Sequence, residues 1–207
     1  MNNWVVKESA PLNMTEMKIN AKIIREILMV EGGWTLNAVC GVLGNLEAES
    51  TINPGRWEND VVNNYQAGFG LAQWTPSTKL RNWIIARYHN EDFTNGDYQV
   101  ARIMEEFTPP GLDQYYPTTA YPETMVEFKY SNKTPEYLAK AFLLNYERPI
   151  DTGTAVQNYR AERARFWYSY LTSNQLTIPI WLLFKFHEGG IVCISQFYTK
   201  KETYIRP

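Results

Sequence analysis

The sequence predicts a mainly α fold, α+β in detail, with a helical lobe and a small β-hairpin region. Three observations carry this. Apolar residues recur at three- and four-residue spacing over most of the chain. Several of these stretches open at Asn, Thr or Pro and close at Gly or Pro. Turn formers mixed with short apolar alternations gather between residues 55 and 75.

Taken in order, residues 1–12 read as an N-terminal arm. A helix then starts with Asn13 as cap and Glu16 three residues on, a capping-box arrangement. Its stripe is Ile19, Ile23, Ile24, Ile27 and Leu28, and Gly32-Gly33 stops it. A second helix follows Thr35 with the stripe Val39, Val42, Leu43 and Leu46, and Asn53-Pro54-Gly55 ends it. Residues 55–75 form an irregular β-hairpin region. Pro76-Ser77-Thr78 opens a helix to about Tyr88, and further helices cover about 96–107, 122–129, 134–147 and 154–171. Thr134-Pro135-Glu136 is a well-formed start, with Thr as cap and Pro at the first helical position. From about Leu176 the texture becomes that of an apolar hairpin, Ile178 to Phe184 and Ile191 to Ile194 around Glu188-Gly189-Gly190. The division expected is therefore 1–12 arm, 13–172 main domain and 173–207 appendage. The hairpin either packs on the body or offers its strands to a partner.

Composition bounds the function. A 207-residue chain with 44% hydrophobic and 20% charged residues can bury a substantial core. A net charge of −2 argues against broad nucleic-acid or anionic-membrane binding. No stretch is long enough to span a bilayer, since the longest apolar run, Ile178 to Phe184, is interrupted by Pro179. The N-terminus carries no apolar signal-peptide core. Cys40, Cys193, His89 and His187 show no metal-ligand spacing, so neither a metal nor another cofactor is expected. Aromatic residues make up 14% of the chain, which fits an aromatic core or a groove that stacks on sugar rings.

Chemistry concentrates at two strings, Glu49-Ser50-Thr51-Ile52-Asn53-Pro54 and Gly68-Phe69-Gly70-Leu71-Ala72-Gln73-Trp74. Glu49 continues one edge of the second helix's stripe and Glu47 the other, so periodicity alone does not choose between them. Glu49 is nearer the helix end, where burial and the dipole both work against a bare carboxylate. That suits a general acid, which must carry its proton near neutrality to cleave a glycosidic bond. Asp60 is the best second carboxylate on the following loop and Glu58 the runner-up, although loop aspartates are usually turn formers. Trp57, Phe69 and Trp74 are candidates for sugar contacts or for core.

These strings, with Ala38 to Asn45 and Asn145-Tyr146-Glu147-Arg148-Pro149, resemble the lysozyme superfamily branch of goose-type lysozymes, soluble lytic transglycosylases and phage tail lysozymes. The likeness is greatest to the phage tail lysozyme domain and spans roughly residues 13–172. It implies a lysozyme-like fold, with the helical lobe and the small β-hairpin region flanking a substrate cleft, and a muramidase that cleaves the β-1,4 bond between N-acetylmuramic acid and N-acetylglucosamine in bacterial peptidoglycan. By motif match it makes Glu49 the general acid, puts Gln73 on the substrate, and sets Tyr146 and Glu147 on the far wall of the cleft. It implies a virion tail component that degrades the host wall locally during entry and needs no signal peptide, with other tail proteins as partners for the C-terminal hairpin. Two alternatives stay open: a lytic transglycosylase that uses the same Glu49 and leaves 1,6-anhydro ends, and a wall-binding structural protein without turnover. Members of the family are often joined to a zinc-peptidase domain, and no such pattern is legible around His89 or His187.

Overall fold

A computed structural model describes residues 2–109 and 114–173, and the backbone of 184–187 and 190–193. The chain divides into two compact units, 1–169 and 170–207.

In the first unit Asn13 caps α1 (Met14–Glu26) and Glu16 closes the capping box, as the pattern predicts. The chain continues as a π-helical turn over Ile27–Glu31. Thr35 caps α2 (Leu36–Ser50) through the Ala38 amide. Then come α3 (Thr78–Tyr88), α4 (Gly96–Glu106), the short α5 (Met125–Lys129), and α6 (Pro135–Phe142), which runs into a second π-helical turn, Leu143–Glu147. The last helix, α7, spans Thr154–Ser173.

The centre of the unit is α2. Its residues from Ala38 to Glu47 are all buried, so it is wrapped on every side rather than along one stripe. Two glycines make this possible. A Cβ at Gly41 would lie 2.8 Å from the Leu138 Cβ of α6, and one at Gly44 would lie 2.6 Å from the Arg160 carbonyl of α7. Asn45 ties α6 to α2 by donating to the Ala139 carbonyl at 2.9 Å. Aromatic rings fill the other side: Trp34, Phe107, Phe128, Phe142 and Tyr146 pack in tilted, stacked and, for Trp34 on Phe128, edge-to-face pairs.

The β-hairpin region expected over 55–75 does not form. Strand contact there is limited to isolated bridges, Trp57 to Phe69 and Phe69 to Trp74. A 3-10 turn over Glu58–Asp60 and left-handed backbone at Asn59, Asp60, Asn63 and Gln73 interrupt any extended ladder. The fold is therefore more purely helical than predicted. The loop is held instead by a buried amide. Gln99 of α4 accepts from the Leu71 N–H at 2.8 Å and donates to the Pro54 and Phe93 carbonyls at 2.7 Å. Gly70, at φ +81°, has no room for a Cβ beside that amide.

Residues 2–12 are sewn onto this unit. Trp4 and Asn2 donate to Asp97. Asn20 exchanges two hydrogen bonds with Val5. Asn53 accepts from the Lys7 N–H and donates to the Lys7 and Ala10 carbonyls. No helix among the described residues is long and apolar enough to cross a membrane.

In the second unit β1 (Phe184–His187) pairs antiparallel with β2 (Gly190–Cys193), Phe184 opposite Cys193 and His187 opposite Gly190. The hairpin read from the sequence is present there. Its expected extension over residues 178–183 and at Ile194 lies outside the described residues.

Candidate active site

Glu49 occupies the last turn of α2, with its side chain 20% exposed. Beyond it Thr51 caps the helix in left-handed backbone, and Ile52, fully buried, is left-handed too. A β-branched residue held this way is strained, and such strain tends to accumulate beside functional groups. Glu49 is not a lone acid at a bare helix end. Arg160 of α7 donates to its Oε1 at 2.6 Å and to the Asn45 carbonyl at 2.7 Å. One guanidinium thus meets both the carboxylate and a carbonyl near the negative end of the dipole.

A polar pocket of about 170 Å³ opens in the same unit, walled by Gln73, Trp74, Arg102, Glu106, Tyr146 and Glu147 among others. Two of its carboxyls differ sharply. Glu106 is buried, but Arg102 pairs with it at 2.8 Å, the Tyr146 hydroxyl donates to it, and the Trp74 indole donates at 3.2 Å. Burial still raises its pKa above the ordinary carboxylate range, against the opposing pull of those donors. Glu147 stands at the end of the π-helical turn, and left-handed Arg148 follows it. Its Oε1 is shut off from solvent and has no hydrogen-bond partner among the described residues. Burial, and then the charge of Glu49, push its pKa well above the ordinary range, with Arg160 pulling the other way. An unpartnered buried acceptor costs about 1–3 kcal/mol, so this oxygen is held against its own preference.

The other candidates divide. Gln73, Trp74, Tyr146 and Glu147 come together on the pocket wall. Gln73 spends its amide N–H groups on the Arg56 and Gly70 carbonyls, which fixes its own loop. Trp57 and Phe69 are 3% and 1% exposed and pack with Phe93 as core. Asp60 sits on the exposed Glu58–Asp60 turn. Arg56 pairs with it at 2.8 Å and the Ser9 hydroxyl reaches it at 3.4 Å. Glu58 accepts from the Gly68 amide at 2.7 Å. Neither Asp60 nor Glu49 belongs to the pocket lining; Glu49 is tied to that wall through its electrostatic interaction with Glu147.

Three members of the site escaped the sequence reading: Arg102, Glu106 and Arg160. A signal existed for the first two. Glu106 follows Ile103 by three on the apolar stripe of α4, and Arg102 precedes it by four. Arg160 is an ordinary helical arginine in sequence and gives no such signal.

The model of the phage tail lysozyme family matches residues 19–171. The chain is also 40% identical over 170 residues to Morphogenesis protein 1 of Bacillus phage B103. That alignment takes in 82% of this chain and 44% of the relative, so the chain spans less than half the length of that protein. A helical unit with a carboxylate at the end of its central helix, a family match across nearly all of that unit and this level of identity agree: the chain belongs to the phage tail lysozyme family.

Proposed function

We propose that this domain hydrolyses the β-1,4 bond between N-acetylmuramic acid and N-acetylglucosamine in peptidoglycan, with Glu49 as the general acid. The observation that carries the reading is the setting of Glu49. It is a mostly buried carboxyl on the last turn of the central helix, oriented at one oxygen by Arg160 and within electrostatic reach of the pocket-wall carboxyl of Glu147. Protonated Glu49 gives its proton to the glycosidic oxygen. The C1–O bond breaks with its electron pair on that oxygen, and positive charge develops on the sugar ring. Water then supplies the hydroxyl to C1. Gln73, Trp74 and Tyr146 shape the wall that orients the sugar, while Trp57 and Phe69 hold the Gly68-to-Trp74 loop in place. The family and the phage relative support a tail location in the virion, where the domain opens the host wall locally during entry.

The test is product analysis of digested cell walls. Mass spectrometry should find reducing ends from the wild type and no release from Glu49→Gln. Products with 1,6-anhydro ends would assign a lytic transglycosylase instead. Wall binding without any soluble product would assign a structural tail protein.

A further inference from the structure

We propose that Glu147 is the second carboxyl of this reaction, taking the proton of the attacking water while Glu49 serves the leaving oxygen. The proposal rests on the muramidase reading above. Its ground is geometric. Glu147 lines the pocket and keeps a buried Oε1 with no hydrogen-bond partner among the described residues, an acceptor that a water reaching this wall would satisfy. A carboxyl kept for structure looks different in this protein: Glu106, on the same wall, is met by Arg102, Tyr146 and Trp74.

The charged groups that face Glu147 are Glu49 on α2, Glu106 on α4 and Arg160 on α7, with Arg102 and Lys79 on the pocket wall. Burial, and then the charge of Glu49, raise the Glu147 pKa above the ordinary carboxylate range, which makes its carboxylate a better base toward water. Glu49 delivers its proton to the leaving oxygen as the C1–O bond breaks. Water adds its hydroxyl to C1 and gives its other proton to Glu147. Solvent then carries a proton from Glu147 back to Glu49, so both carboxyls return to their starting states and one water is consumed per bond cleaved.

The experiment measures soluble-product release from purified cell walls between pH 4 and pH 9, for wild type, Glu49→Gln and Glu147→Gln, with wall sedimentation as the binding readout. The wild type should show a bell, since two protons leave no base and none leaves no acid. Glu147→Gln should turn over about 100-fold more slowly at pH 7, sediment with walls as the wild type does, and lose the acid limb. Wild-type turnover with an unchanged bell would overturn the proposal. If Glu147→Gln melts below wild type, Glu147→Ala with added formate decides: restored turnover supports the role, and no restoration overturns it. A Glu49→Gln variant that still clears walls would instead overturn the Glu49 assignment, whatever Glu147→Gln does.

Discussion

Glu47 and Glu147 are both partly or wholly hidden carboxyls on helical turns, and their surroundings are opposite. Glu47 lies in the seam between α2 and α7, where the Trp167 indole donates to one oxygen at 2.8 Å and Arg163 pairs with the other at 2.8 Å. Glu147 stands on a pocket wall with an oxygen that no donor among the described residues meets. A buried carboxyl met at both oxygens fixes how two helices sit; one with an unmet oxygen beside open space is kept for something that arrives. The seam is architecture by this criterion, and the pocket is chemistry.

Substitutions can break this contrast, and the largest effect belongs to Glu49. Glu49→Gln should lower wall-lytic turnover by about 1,000-fold with the fold retained, measured by product release and circular dichroism. Glu47→Ala should do the reverse. It removes the carboxyl that Arg163 and the Trp167 indole meet and should cost about 3 kcal/mol of stability in urea denaturation, while turnover per folded molecule stays near wild type. A large loss of turnover there, at full folding, would erase the distinction between seam and pocket.

A pH dependence sharpens it further. The Glu147 carboxyl has a raised pKa when folded, so its contribution to stability is fully present below the ordinary value of 4.5 and is lost as pH rises through the folded value. The melting temperature of Glu147→Gln should therefore gain on wild type as pH increases above that point. Asp97 has the opposite sign. Burial alone would raise its pKa, but the hydrogen bonds from Trp4 and Asn2 outweigh it and hold the carboxyl below its ordinary 3.8. Its stabilisation is present above that value and disappears as pH falls through the folded value. In Asp97→Asn that acid-side dependence of melting should shrink. The smallest effect is expected at Asp60. Its exposed pairing with Arg56 is worth at most about 1 kcal/mol, and Asp60→Asn should change turnover by less than about fivefold.

The helical periods and caps were legible because they are local: Asn13 with Glu16, Thr35 and Thr134 each do what their spacing announces. Glu49 was legible as a position on a stripe near a helix end, but its ion pair was not, since Arg160 is 111 residues away in the chain. The 55–75 segment misled for a related reason. Its alternating apolar residues imitate a strand, while the backbone is decided by the left-handed Asn and Asp positions and by Gln99, a distant side chain that takes up the loop's polar groups. Trp57 and Phe69 could not be sorted into cleft or core from composition, because only packing against Phe93 decides it.

The Leu143–Glu147 turn closes its hydrogen bonds over five residues rather than four. One residue is thereby accommodated beyond what an ordinary helix would hold, and each residue in such a helix advances the next by about 100°. Removing a single amino acid from this stretch would let α6 continue regularly and would swing position 147 about a quarter-turn off its present bearing. Length at this point is as constrained as identity, and relatives that carry a one-residue gap here should have relocated the acid that follows it.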